Sequence, residues 1–384
     1  MTSHTFIQTK KQQDLYNKAT KLSEVAKRNS KEMDEKAQFS LDTLQALKKE
    51  KYLSLSLPEK YGGQQISLYE FLLLQEKLAE GDGPTALSVG WHLGVMMELS
   101  EGKLWEEEIF SYVAKDIEQN QSLVNRAATE PATGSPTRGG IPETTAKKEN
   151  DHYIINGRKT FTTMASVLDY FIVTAYIHEK EAVGSFLIAK NTAGVAINKT
   201  WDTLGMRGTG SDDLILKNVK VKEMNLVEVN SKPKRPEPKG WLLHIPACYL
   251  GIAIAARNEA VEFAKNFQPN SLKTPISEVD HIRQKVGEMD LKLMQARYFM
   301  YAVAEKWDKH PENRSELGSE LAAVKVVATN TANEVVDLAM RIAGGRGLSK
   351  EMPFEKLYRD VRAGLHNPPM DDMVIQMLAG KAFN

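Results

Sequence analysis

Hydrophobic positions divide the 384-residue chain into three regimes. From Gln12 to about Ser122 apolar residues recur at helical spacing: Leu41, Leu44 and Leu47 line one face, and Lys48, Lys49 and Glu50 take the other. Ser67 with Glu70 forms a capping box ahead of Phe71-Leu72-Leu73-Leu74, and Gly81-Asp82-Gly83-Pro84 stops that helix. From Leu123 to about Glu228 the pattern changes to short β-rich runs. Tyr170–Ile177, Gly184–Ala189, Val195–Thr200 and Leu214–Val221 are each separated by polar residues or glycine. Asn156-Gly157 reads as a two-residue hairpin turn between two further strands, because both residues tolerate a positive φ angle. Past a Pro/Lys-rich linker, Ser231–Lys239, the period is helical again. Val286, Met289, Leu293 and Ala296 make one stripe, Ala322, Val326, Ala332 and Val336 another, and Gly344-Gly345 closes the second helix.

The length calls for two or three structural units. The pattern predicts an α+β multidomain chain: an N-terminal helical domain over 1–122, a β-barrel-like middle domain over 123–230, and a C-terminal four-helix bundle over 231–384.

Composition changes this picture mainly by exclusion. Fifty basic residues balance fifty acidic ones, and no basic stripe marks a nucleic-acid partner. A single cysteine, Cys248, excludes an intramolecular disulfide and a cysteine metal cage, so no metal is expected and a reduced, cytoplasmic setting fits. Met1–Lys11 is polar, unlike a signal peptide, and the most apolar run, Ile245–Ala256, contains Pro246 and is too short to span a bilayer. No G-x-G-x-x-G follows a strand, which leaves a Rossmann nucleotide site unsupported.

Thr129-Glu130-Pro131-Ala132-Thr133-Gly134-Ser135 resembles the T-E-P-x-x-G-S loop of the acyl-CoA dehydrogenase superfamily of flavoproteins, and Asn156-Gly157-Arg158-Lys159-Thr160-Phe161-Thr162-Thr163 resembles its N-G-x-K-x-W-I-T segment. Leu57-Pro58-Glu59-Lys60-Tyr61-Gly62-Gly63, Leu204-Gly205-Met206-Arg207-Gly208-Thr209 and Asn218-Val219-Lys220-Val221 resemble three shorter family motifs. Arg341-Ile342-Ala343-Gly344-Gly345-Arg346-Gly347, with Pro353, Glu355, Arg359 and Asp360 after it, is similar to the family's C-terminal signature. Arg359-Asp360 reads most simply as an ion pair fixing that terminal turn.

The resemblance implies FAD as cofactor, with Ala128 and Thr129 at the pyrimidine edge of the flavin and Thr163 near N5. Phe161 stands where the family usually has Trp, Arg126 where Tyr is common, and Pro136 where an Asp usually follows the Ser. Ser135 is implied near the diphosphate and the acyl thioester. Arg341, Gly344 and Gly345 are implied to reach the FAD of a neighbouring subunit, which implies at least a dimer and usually a homotetramer. His92, beside Trp91, lies on a helix that borders the family's substrate cavity, although such a histidine is more often a satisfied core residue. Partners implied are an acyl-CoA or other small-molecule substrate, and an electron-transfer flavoprotein or a flavin reductase.

The reaction implied is α,β-dehydrogenation, which needs a carboxylate to take the α-proton. The family's usual position for that base holds Pro368, and the minority position at the start of the first C-terminal helix holds Trp241. Asp371 and His366 are the substitutes at hand, with paired Asp371 and Asp372 also suited to a helix N-terminus. Two other classes stay open here: a two-component flavin monooxygenase of the same superfamily, with His366 near the flavin, and a protein that binds flavin or acyl-CoA without turnover.

Overall fold

The computed structural model describes residues 3–133, 140–230 and 237–383. Five helices come first: α1 (Lys10–Lys36), α2 (Leu41–Lys49), α3 (Leu68–Gly81), α4 (Gly83–Gly102) and α5 (Glu107–Asn120). The Ser67–Glu70 capping box starts α3 as its sequence requires. Asp82 alone separates α3 from α4. Its carboxylate accepts the Thr85 N–H at 2.8 Å, so the residue that ends one helix caps the next, with Pro84 in the first turn. Apolar residues surround α3 and the first half of α4, and both are core helices.

Eight strands follow: β1 (Val124–Ala127), β2 (Thr145–Glu149), β3 (His152–Lys159), β4 (Tyr170–Ile177), β5 (Ala182–Ala189), β6 (Val195–Asn198), β7 (Asp213–Lys222) and β8 (Leu226–Asn230). They form one sheet in the order β6-β7-β3-β2-β4-β5-β8, and its end strands do not pair with each other among the described residues. β1 and β2 both run parallel to β4, β1 against Tyr170–Val173 and β2 against Tyr176 and Ile177. The chain therefore leaves the sheet after Ala127 and returns at Thr145, and that excursion carries the T-E-P loop.

The Asn156-Gly157 hairpin is not formed. β3 is one strand with an irregularity between Ile155 and Gly157, antiparallel to both β2 and β7. The true hairpin joins β2 to β3 through Asn150, at φ 55°, and Asp151. Packing explains the difference: Asn156 Oδ1 accepts the Asn218 N–H at 2.8 Å, and a Cβ on Gly157 would lie 2.3 Å from Thr144 Oγ1.

Five helices finish the chain: α6 (His244–Asn266), α7 (Asp280–Lys309), α8 (Gly318–Ala343), α9 (Phe354–Arg362) and α10 (Asp371–Phe383). The first three are long and α9 is the short fourth member of the bundle. Gly344 ends α8 at φ 59° and ψ −145°, a conformation reserved for glycine. The stretch Gly240–Asn266 is long and apolar enough to cross a membrane, contrary to the shorter estimate above. It is nevertheless 83% buried in its most apolar window, as a core helix is. Across the bundle, Arg297 on α7 donates to both carboxylate oxygens of Glu76 on α3, at 2.9 and 2.6 Å, with both side chains buried.

Arg359 and Asp360 do not pair with each other. Arg359 grips Asp34 at the end of α1, at 2.7 and 2.9 Å, and Glu355 at 2.7 Å. Asp360 accepts from Lys356 at 2.6 Å and from the Met206 N–H at 2.5 Å, while Lys356 also reaches Asp82 at 3.0 Å. Neighbouring residues on a helix point to different sides, so α9 ties α1 and the α3–α4 junction to the loop before β7.

Candidate active site

The end of the sheet brings three expected residues together. Thr129, just past β1, accepts the Thr160 N–H at 2.9 Å, which fixes the T-E-P loop beside the end of β3. The next residue, Phe161, has φ 53° and exposes 63% of its surface. Its ring meets Trp201 edge-on, with centroids 5.5 Å apart. The Thr163 N–H returns to the Phe161 carbonyl at 3.0 Å, and its hydroxyl pairs with Ser211 at 3.0 Å. Asn125, on β1, reaches the Thr163 carbonyl at 3.4 Å. Ala128 lies half-buried beside Thr129.

A buried ion pair underlies this surface. Lys159 Nζ lies 2.5 Å from Glu130 Oε1, with side chains 0% and 1% exposed. Glu130 also accepts the Thr144 N–H at 3.0 Å and the Glu143 N–H, and Lys159 donates to Thr174 Oγ1 at 3.1 Å. Burial alone raises the pKa of Glu130, but the hydrogen bonds from Lys159 and Thr144 outweigh it and hold the carboxyl below its ordinary value. Nearby Arg126 donates to Glu228 at 3.0 and 3.2 Å and to Glu98 at 3.4 Å, joining β1, β8 and α4. Sequence reasoning passed over these pairs. A signal for Lys159 did exist, since it ends a strand whose Tyr153 and Ile155 also face inward.

The other expected residues stand elsewhere. Ser135 lies outside the described residues. His92 is fully buried; its Nε2 donates to the Leu53 carbonyl at 2.8 Å and its Nδ1 accepts the Val124 N–H at 3.1 Å. With both nitrogens used, and burial holding its pKa below the ordinary histidine value, His92 is a neutral core connector and not a cavity residue. Arg341 pairs with Asp337 at 2.6 Å on an exposed face, and a Cβ on Gly344 or Gly345 would meet nothing within 4 Å. These residues do not join Thr129 and Thr163 in the single chain. His366 is exposed in the turn Ala363–His366. Asp371 opens α10, and its two oxygens accept from Lys325 at 3.0 Å and Asn330 at 2.6 Å on α8.

A flavin needs a flat apolar surface for its ring and polar groups at its edge. The exposed Phe161 ring, with Trp201 edge-on to it, supplies the first, and half-buried Thr129, tied through its carbonyl to the Thr160 N–H, supplies the second, so the residues present fit the group.

Three family profiles match in chain order: the N-terminal domain of acyl-CoA dehydrogenase over residues 9–102, its middle domain over 125–219, and its C-terminal domain over 243–365. The chain belongs to the acyl-CoA dehydrogenase family. It is thus a flavoprotein oxidoreductase that acts on CH–CH donors, with FAD as its cofactor. YdbM of Bacillus subtilis, which bears the acyl-CoA dehydrogenase name, is 50% identical over 378 residues, 98% of this chain and 99% of that protein. The 3-(aryl)acrylate reductase of Clostridium sporogenes is 30% identical over 86% of this chain and 87% of that one. Butyryl-CoA dehydrogenase of Megasphaera elsdenii superposes with a TM-score of 0.86 over 98% of this chain and 99% of that one; at 23% identity the likeness is one of fold.

Proposed function

We propose that the chain dehydrogenates an acyl-CoA thioester between its α- and β-carbons and passes the electrons to an electron-transfer flavoprotein. The convergence of Thr129, Phe161 and Thr163 at one end of the sheet, with the Phe161 ring exposed, carries this reading. Bound FAD would supply the acceptor for the hydride leaving the β-carbon. The chain's own part is to seat the ring on Phe161 and to hold its edge with Thr129 and Thr163, both locked by hydrogen bonds to neighbouring backbone or hydroxyl groups. Gly344 and Gly345, open in the single chain, serve the FAD of a second copy in a homotetramer.

Asp371 is the base we assign, with His366 second. Lys325 and Asn330 hold and orient the Asp371 carboxylate, and the proton transfer requires it to leave them for the α-carbon. The test is anaerobic reduction of the enzyme's yellow FAD by a series of acyl-CoAs. The wild type bleaches. Asp371→Asn retains acyl-CoA binding and bleaches about 100-fold more slowly or worse, while His366→Ala changes the rate less. Normal bleaching in Asp371→Asn would reduce Asp371 to a helix anchor. A wild type that no acyl-CoA bleaches would overturn the dehydrogenase reading itself.

A further inference from the structure

Behind Thr163 a run of three buried hydroxyls ends on a carbonyl. Thr163, Ser211 and Thr209 are 9%, 4% and 2% exposed. Thr163 Oγ1 lies 3.0 Å from Ser211 Oγ, Ser211 Oγ lies 2.8 Å from Thr209 Oγ1, and Thr209 Oγ1 lies 2.9 Å from the Met206 carbonyl oxygen. Backbone bonds on both sides hold the two segments in this register. The Thr162 N–H donates to the Asp212 carbonyl at 3.2 Å, and the Met164 N–H donates to the Thr209 carbonyl at 2.9 Å. Met206 is itself fixed: its N–H donates to Asp360, and its carbonyl also accepts from Trp201 Nε1 at 3.2 Å.

The order of donors along this run follows from valence. A carbonyl oxygen can only accept, so Thr209 commits its single hydroxyl proton to Met206. Thr209 must then accept from Ser211, which commits its own proton there, and Ser211 must accept from Thr163. The Thr163 hydroxyl proton therefore points inward. The backbone of Thr163 is anchored as well: its N–H donates to the Phe161 carbonyl at 3.0 Å, and its carbonyl accepts from Asn125 at 3.4 Å. What the hydroxyl has left is a lone pair on Oγ1, so a polar group that meets it has to bring the hydrogen.

That polarity matters to a flavin. N5 carries a lone pair and no hydrogen when the ring is oxidised, and an N–H when the ring holds two more electrons. A hydroxyl free to turn its proton outward favours the first state, whereas one that offers only a lone pair favours the second. We propose that Ser211 and Thr209 are positioning residues that set the redox potential of bound FAD. By holding the Thr163 proton inward they make Thr163 an acceptor for the N–H of the reduced ring, and so bias the cofactor toward taking up electrons. Both act through Thr163. The proposal rests on the flavin placement above, with Thr163 at the edge of the ring beside N5.

The experiment is a spectroelectrochemical titration of FAD-loaded wild type, Thr163→Val, Ser211→Ala and Thr209→Val. Thr163→Val removes the acceptor. It is expected to weaken the preference for reduced over oxidised FAD about fivefold, the strength of one hydrogen bond, which lowers the midpoint potential by about 20 mV. Ser211→Ala keeps the Thr163 hydroxyl but lets its proton turn outward, so the preference should fall about tenfold or more, a drop of about 30 mV or more. Thr209→Val releases the Ser211 proton and with it the Thr163 proton. It should lower the potential in the same direction, and it decides the matter if Ser211→Ala fails to hold FAD. Lost packing alone would instead put the largest shift on Thr163→Val. Wild-type potentials in Ser211→Ala and Thr209→Val, or a larger fall in Thr163→Val than in Ser211→Ala, would overturn the assignment. A Thr163→Val enzyme with unchanged potential and absorbance would overturn the placement of the ring, and this assignment with it. None of these measurements uses an acyl-CoA, so a wild type that no thioester bleaches would remove the dehydrogenase reading alone.

Discussion

Replacing Lys159 by Met tests whether the buried ion pair beneath the T-E-P loop holds the site in place. Methionine matches the length and volume of the lysine stem, so the change removes a charge and little packing. What remains is the Glu130 carboxylate, 1% exposed, with two backbone N–H donors but without the ammonium 2.5 Å away. A buried charge stripped of its partner costs about 3–5 kcal/mol. At about 1.4 kcal/mol per decade, that raises the unfolded fraction by roughly two to three and a half orders of magnitude. Glu130 adjoins Thr129, so the loss is expected to reach the flavin: urea midpoint and FAD absorbance should fall together. The double variant Lys159→Met/Glu130→Gln removes both charges, leaves an amide oxygen for the Glu143 and Thr144 N–H groups, and should recover most of the loss. If Lys159→Met matches the wild type in midpoint and FAD content, or if the double variant is no better than the single, the assignment of the pair as the loop's anchor is wrong.

Two further outcomes follow from charge and backbone geometry. Burial alone raises the pKa of Asp34 and of Glu228, but Arg359 on the one and Arg126 on the other bring both below the ordinary carboxylate value. Each group therefore binds its proton less readily folded than unfolded. Its stabilisation is complete above the unfolded carboxylate range, about pH 4, and is lost as pH falls through the lower folded value. Urea midpoints should drop in that window, with a shallower slope in Asp34→Asn; an equal slope in that variant would contradict the sign. Gly345→Val meets no atom of its own chain, so its far-UV spectrum should be unchanged while FAD retention and oligomer mass fall; a fully loaded, full-mass variant would remove the loop from the subunit interface.

Local signals were read from the sequence with good fidelity where local chemistry decides the outcome. The Ser67 cap, the break at Asp82, the strand Tyr170–Ile177 and the glycine stop at Gly344 all stand where the residues indicate. The errors arise where a distant neighbour decides. Asn156-Gly157 has the composition of a hairpin turn, but Asn218 and Thr144 claim those residues for a kink within one strand. Arg359 and Asp360 are adjacent in sequence, yet their partners lie on α1, on the loop before β7 and on α9 itself. Of the site, the motifs placed Thr129, Phe161 and Thr163 side by side. They gave no hint of the buried, unpartnered polar atoms of Gln75, Trp241 and His244, because these residues carry no shared spacing and meet only when the helices pack.

The contacts of α9 also bear on how the polypeptide is made. Asp34 and Asp82 are synthesised well before the cations that neutralise them, Arg359 and Lys356, which follow 325 and 274 residues later. A ribosome that has delivered the first hundred residues has delivered a helical segment whose deepest carboxylate, Asp82, still awaits its counter-charge. The nascent chain cannot complete this junction until α9 has emerged from the exit tunnel, so the early helices stay adjustable until then. A chain ending before Phe354 would lack the clasp by which α9 joins the first helix to the loop before β7.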